Sequence, residues 1–204
     1  MKHRLSLPLL LVVVAIGCDK KVANSSNLEK GLNHYLTAQQ QCPNTHAADF
    51  PTQPIVARTD YDAYAKVGLV SKVPSALDGN GQPRFIYDLT SKGKDTQYKG
   101  KILSGNETPR IFCFGTLKVD KILNFTDPAP NQGVSETHVY YTTKLVDTPD
   151  WLADPDIQGV FRNFPTIMEV NRRKIRASQG LPDNSKMEAA MGLTAEGWRV
   201  PQDM

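Results

Sequence analysis

The spacing of apolar and polar positions changes several times along this chain, and each change marks an element. After Met1-Lys2-His3-Arg4, an apolar run extends from Leu5 to Ile16 and ends at Gly17-Cys18. The run contains Pro8 and covers 12 residues, whereas a membrane-crossing helix needs about 20. A basic start, an apolar stretch and small residues at the break form the pattern of a secretory signal peptide, expected over residues 1–17. Lys20 to Asn27 is polar and reads as a tether. Leu28, Leu32, Tyr35 and Leu36 then form a one-sided stripe. This spacing predicts an amphipathic helix over 28–41, capped by Asn27 and ended before Pro43. Residues 43–59, with Pro43, Pro51 and Pro54, read as a surface loop. Asp60 is expected to cap a second helix, Tyr61 to Val67, closed by Gly68. Leu69-Val70 is a short extended segment, and Asp78-Gly79-Asn80-Gly81 is a turn. Arg84 to Leu89 follows as a strand with Phe85, Tyr87 and Leu89 on one face.

From Pro109 the period becomes two. Ile111, Cys113, Gly115, Leu117, Val119, Leu123 and Phe125 share one parity, with Lys121 the exception. Thr116, Lys118, Asp120 and Asn124 lie on the other. The pattern predicts one long half-buried strand, straight or bulged. A wide turn over 127–133 leads to a second alternating strand through Thr137, Val139, Tyr141, Thr143 and Leu145. Thr148-Pro149-Asp150 and Asp154-Pro155-Asp156 are successive helix starts, each with a capping side chain, proline and an acid at the positive dipole end. Ile157, Val160, Phe161 and Phe164 supply the apolar face. A further helix is expected from Pro165 to Arg176 with Ile167, Met168 and Val170 inward, then a loop over 179–186. Leu89-Thr90-x-x-Gly93 and Leu193-Thr194-x-x-Gly197 echo each other over five positions, too few to establish a repeat.

Charge narrows the function. The 204 residues carry 24 Lys and Arg against 21 Asp and Glu. Removal of residues 1–17 leaves 187 residues and takes away Lys2 and Arg4, so 22 basic groups face 21 acidic ones. A chain this balanced offers no basic face for neutralising phosphates, so no nucleic-acid partner is expected.

Ala15-Ile16-Gly17-Cys18 resembles the bacterial lipobox, with Ala15 where leucine is usual. The resemblance implies that Cys18 is acylated and begins the mature chain. It places the protein at the bacterial cell envelope, facing the periplasm. Stable attachment takes two or more acyl chains. Asp19 fits the enterobacterial sorting pattern that favours the inner over the outer membrane. With Cys18 assigned to lipid, Cys42 and Cys113 remain, in an oxidising compartment where disulfides persist. A Cys42–Cys113 bridge is expected, closing a loop of about 70 residues and stabilising by roughly 3–4 kcal/mol in the chain-entropy model. The alternative is two separate buried thiols.

Two further resemblances bear on fold. Ala65-Lys66-Val67-Gly68-Leu69-Val70, a turn, then Tyr87-Asp88-Leu89-Thr90-Ser91-Lys92-Gly93 resembles the helix and wing of a winged-helix module. An exported, anchored protein meets no chromosome, so this bears on shape alone. Phe112-Cys113-Phe114-Gly115, Val119-Asp120-Lys121, Tyr140-Tyr141-Thr142, Pro149-Asp150-Trp151-Leu152-Ala153-Asp154-Pro155 and Leu193-Thr194-x-x-Gly197-Trp198 are together similar to uncharacterised proteobacterial envelope lipoproteins. That group brings no assigned reaction.

The expected architecture is α+β: short N-terminal helices with a wing-like hairpin, then an antiparallel sheet with helices on one face. The divisions are a signal peptide over 1–17, a lipidated tether over 18–27, a helical part over 28–105 and an antiparallel part over 106–204. Ser104-Gly105-Asn106 is a plausible hinge, but the expected bridge crosses it, so the two parts should form one compact unit.

The chain is sparse in recognisable chemistry. His34, His46 and His138 are scattered, without metal-ligand spacing. Cys113 and His138 have opposite parity and should project from opposite faces. There is no Gly-x-Ser-x-Gly elbow, Walker loop or Gly-x-Gly-x-x-Gly, so no catalytic residue, cofactor or metal is assigned. Arg172-Arg173-Lys174-x-Arg176 is the one basic cluster, either a solvated helix face or a contact for anionic headgroups. Trp151 and Trp198 either rim a peptide or glycan groove or belong to the core. Two functions follow. One is a non-catalytic module binding an envelope protein, glycan or small ligand, in a groove between the hairpin and the Trp151 helix or along the Trp198 surface. The other is an envelope hydrolase using His138 and nearby acids.

Overall fold

A computed structural model describes residues 19–43, 45–98, 109–181 and 185–203. The expected signal peptide, Cys18 and the 104–106 hinge lie outside the described residues. The fold is α+β, with two antiparallel sheets. Helix α1 covers Ser25–Thr37, strand β1 Ile55–Val56, α2 Thr59–Lys66, β2 Val70–Leu77, β3 Pro83–Leu89 and α3 Ser91–Asp95. Strand β4 covers Thr116–Phe125, β5 Ala129–Asn131 and β6 Val134–Val146. Helices α4, Pro155–Val160, and α5, Pro165–Ser178, follow, then β7, Met187–Thr194, and β8, Gly197–Arg199. The first sheet has the order β1-β3-β2. The second runs β4-β6-β7-β8, with β5 paired to β6.

The wing-like hairpin is β2 and β3, turned at Asp78 to Gly81, where the Gly81 N–H donates to the Asp78 carbonyl at 2.9 Å. Its strands are longer than the expected Leu69-Val70 segment, and Ile55–Val56, expected as loop, adds a third strand against Phe85 and Arg84. Helix α1 lies elsewhere. Leu28, Leu32 and Leu36 pack with Val119, Val139, Tyr141, Met191 and Trp198 of the second sheet. Gly31 makes this possible, because a Cβ there would come within 2.2 Å of the Trp198 carbonyl oxygen. The other core joins Tyr64 and Leu69 to Ile111, Phe112, Phe114, Trp151, Leu152, Phe161 and Ile167. Each core therefore draws on residues from both sides of position 105.

The segment over 18–27 is not a free tether where it is described. Asp19 and Val22 carbonyls accept from the Asn27 side-chain amide at 2.9 and 2.8 Å, and the Lys21 carbonyl accepts from Trp198 Nε1 at 3.2 Å. Asn24, not Asn27, caps α1, its side chain accepting from the Asn27 N–H at 2.9 Å. Asn27 lost the capping role because its own side chain holds the preceding turn.

The long strand predicted from Pro109 becomes regular only at Thr116. Ile111, Phe112, Cys113 and Phe114 are all buried, with Phe112 at φ 61° and Gly115 at φ 129°. Backbone bonds hold this irregular stretch on two sides. Phe114 N–H donates to the Gln41 carbonyl at 2.9 Å and Ile111 N–H to that of Thr45 at 2.9 Å, while Cys113 N–H donates to that of Thr96 at 3.0 Å. Cys42 and Cys113 form the expected disulfide across the first of these pairings. Further along, two register shifts between Val119 and Asn124 rotate β4, so Leu123 faces outward and is exposed.

The end of the hairpin is tighter than the predicted wide turn. Gln132 and Gly133, at φ 48° and 83°, connect β5 to β6 in the two-residue manner favoured by strand twist. Asp154 caps α4 as its sequence implies, accepting from the Asp156 N–H at 2.9 Å. Thr148-Pro149-Asp150 leads into a single 3-10 turn over Asp150–Ala153 rather than a full helix. On α5, Ile167 is buried but Met168 is 53% exposed. The two Leu-Thr-x-x-Gly stretches differ. Thr90 accepts from the Gly93 N–H at the start of α3, whereas Thr194 donates to the Gly197 carbonyl in a β-turn.

Candidate functional site

Where β6 ends, the chain turns through Thr148-Pro149-Asp150 and later returns along α5, leaving a groove of about 540 Å³. Its walls are Leu145, Pro149, Leu152, Ala153, Ile167 and Val170, and its edges carry Lys144, Asp150, Arg173 and Lys174. Two local features keep it open. The 3-10 turn over Asp150–Ala153 turns Trp151 and Leu152 into the core, and Gln158 braces it by donating to the Leu152 carbonyl at 2.6 Å. Proline at the start of α5 sets the next helix on a new axis, anchored by Thr166 donating to Gln41 Oε1 at 2.5 Å. Among small-molecule sites, volumes of about 300–1,000 Å³ with apolar walls and a few placed polar groups are usual.

The charges differ in how far they are committed. Arg173 pairs through Nε with Glu169 at 3.2 Å and donates through Nη1 to the Thr143 carbonyl. Lys144 lies 3.4 Å from Asp120. Lys174 has no ion-pair partner among the described residues. One uncommitted ammonium thus stands beside apolar walls, with two partly neutralised cations near it. Asp150 is the opposing anion.

A larger groove, about 760 Å³, lies between the start of α2 and α4. Among its lining charges Arg58, Asp60 and Asp156 are ion-paired, while Arg162 has no ion-pair partner among the described residues. Arg58 grips Asp60 at 3.1 and 2.6 Å and covers the Tyr61 ring at 4.8 Å. Lys66 spans from α2 to Asp156 at 2.6 Å and Asp154 at 3.1 Å. Burial alone would raise the Asp154 carboxyl, but the Lys66 ammonium and the N-cap hydrogen bonds hold it below its usual range. These pairs lock α2 to α4, and the apolar side chains of this groove are limited to Ala57, Pro155 and Val160.

The sequence candidates are spread over the molecule. Trp151 is 6% exposed and Trp198 2%, so both rings are core residues, and Trp151 also reaches the wall of a smaller cavity beside Cys113 and Pro149. Burial of the Trp198 ring is what places its Nε1 on the Lys21 carbonyl. Cys42 and Cys113 are joined and do not titrate. His138 lies on the outer face of the second sheet, its Nδ1 2.9 Å from Glu188 and its Nε2 3.5 Å from Glu136. Thr126 Oγ1 accepts from the His138 backbone N–H, not from the ring. Among the described residues no group of three His, Cys, Asp or Glu is placed to hold a metal ion. No helix among them is long and apolar enough to cross a membrane.

The groove residues Leu145, Ile167, Val170 and Lys174 were not singled out together by pattern. Val170 and Lys174 are one helical turn apart and so share a face of α5, which is the signal the sequence does contain. What it lacks is the placement of that face opposite Leu145 and Leu152. No family model, characterised protein or solved structure matches the chain.

Proposed function

We propose that this chain is a lipid-anchored bacterial envelope protein acting as a non-catalytic binding module, attached through Cys18 and facing the periplasm, with the inner membrane favoured over the outer. The ligand surface is the groove between the end of β6 and α5. The observation that carries this reading is the combination of apolar walls at Leu145, Leu152, Ile167 and Val170 with the uncommitted Lys174. The Cys42–Cys113 bridge supports an oxidising compartment. His138, flanked by Glu136 and Glu188, stands on an open sheet face apart from this groove.

The test is native mass spectrometry of the protein purified from envelopes in mild detergent, beside Val170→Arg, which places a bulky cation in the groove. A bound mass should accompany the natural chain and be lost from the variant at an unchanged unfolding midpoint. A natural chain without bound mass, or a variant that keeps it, overturns the assignment.

A further inference from the structure

The first described residues are fixed to the folded domain. The Asp19 carbonyl accepts from the Val22 N–H at 3.1 Å, closing a turn, and the Asp19 side chain accepts from the Lys21 N–H at 2.9 Å. Asn27 Nδ2 holds both ends of that turn. The Lys20 backbone lies against Gly197, where a Cβ would come within 3.1 Å of its carbonyl oxygen, and φ is 112°. Trp198 Nε1 then fixes Lys21. The turn over 19–22 is therefore part of the same body as α1 and the β7–β8 hairpin. Lys20 and Lys21 are exposed on it, and Val22 is 50% exposed.

Successive Cα atoms are only about 3.8 Å apart. If Cys18 carries the acyl chains, which is the reading proposed above, the acylated residue is bonded directly to Asp19, the first residue of that fixed turn. A flexible linker of 12 residues would instead allow about 19 Å of root-mean-square separation. We infer that the Asp19–Val22 turn and the adjoining Ala195-Glu196 turn form a bilayer-seating surface, which rests directly on phospholipid headgroups. The partner is the lipid surface itself. Lys20 and Lys21 meet phosphate groups, Val22 meets the glycerol and upper acyl region, and the domain has no slack with which to swing away. The orientation of the remaining molecule relative to the membrane is then set by this one edge.

The test uses the full acylated chain in vesicles of phosphatidylethanolamine and phosphatidylglycerol. Glu196→Cys carries an environment-sensitive fluorophore, and headgroup-level spin-labelled lipid acts as quencher. A second chain has the same label plus a 12-residue Gly-Ser insertion between Cys18 and Asp19. Intact mass establishes whether each chain carries the acyl groups. With acyl groups on both, quenching should be several-fold stronger without the insertion. Equal quenching in the two acylated chains overturns the seating while leaving the anchor standing. A natural chain lacking acyl mass removes the anchor, and the seating falls with it.

Discussion

In the core under α1, Leu28, Leu32 and Leu36 from one helical stripe meet Val119, Val139, Tyr141 and Met191 from alternating strands. In the core under the three-stranded sheet, the central residues are Ile111, Phe112 and Phe114, from a stretch with no regular element, surrounded by Tyr64, Trp151 and Phe161. The first core is periodic and mostly aliphatic, with Tyr141 and Trp198 as its buried aromatic residues. The second is aromatic, its rings meeting edge-on, tilted or stacked, as at 5.0 Å for Phe114 and Phe164, 4.5 Å for Tyr64 and Phe112 and 5.4 Å for Phe114 and Phe161. A periodic core can be assembled from elements that already present one face. An aperiodic one must be held in shape from outside. Here the holding structure is the backbone pairing of Gln40, Gln41, Thr45, His46 and Ala47 with residues 109–116, closed by Cys42–Cys113.

The largest expected effect follows from that difference. Phe114→Ala removes a ring in contact with both Phe161 and Phe164, and truncating a buried aromatic costs about 3–5 kcal/mol. The two tryptophans report on different cores. Trp198→Phe leaves Trp151 as the probe of the aromatic core, and Trp151→Phe leaves Trp198 as the probe of the aliphatic one. With the bridge intact, fluorescence and far-UV circular dichroism should give the same urea midpoint within each variant. Phe114→Ala should lower both probes together. Separate midpoints in the bridged protein would mean that the cores are independent and that the pairing does not couple them.

Reduction of the bridge comes next. Opening a loop of this length costs roughly 3–4 kcal/mol by loop entropy, and the bridge ties the segment that follows α1 to the stretch carrying Ile111, Phe112 and Phe114. Cys42→Ser with Cys113→Ser should lower the midpoint and move the Trp151 probe ahead of the Trp198 probe. A double variant of unchanged stability would show that the backbone pairing suffices to hold the aromatic core.

The same contrast explains what was legible in the sequence. The stripe of α1, the alternation of β6, the Asp78 to Gly81 turn and the Asp154-Pro155 start are local signals, and each is present in the fold within a few residues. The bridge followed from counting cysteines. Phe112 and Phe114 escape an alternation that starts at Pro109 and assigns them to the outer face, although Ile-Phe-Cys-Phe is a continuous apolar run of the kind buried on both faces. The bulges that turn Leu123 outward leave no compositional mark. The ordered turn at Asp19 could not be read either, because the polar string over 20–27 looks like a linker until Trp198 and Asn27 are brought to it. The groove is legible only in fragments, since its walls come from β6, a 3-10 turn and α5.

The smallest effect isolates the polar edge of the aromatic core. Asp62 on α2 accepts from Tyr87 Oη at 2.6 Å and pairs with Lys72 at 2.8 Å, joining α2 to the hairpin. Burial would raise its carboxyl, but the hydrogen bonds from Lys72 and Tyr87 outweigh it and hold the carboxyl below its usual value. A carboxylate held low in the folded state stabilises the fold above the unfolded value, about 3.9 for Asp. That contribution is lost as pH falls through the lower folded value. Because Asp62 is 40% exposed, solvent screening limits the effect to about 0.2–1 kcal/mol. Asp62→Asn should therefore lower the urea midpoint slightly at pH 7 and flatten its decline below pH of about 4, with the Trp151 probe following the global change. An acid limb identical to that of the natural chain would show that Asp62 is a solvated surface group, and that the hairpin is held to α2 by its apolar contacts alone.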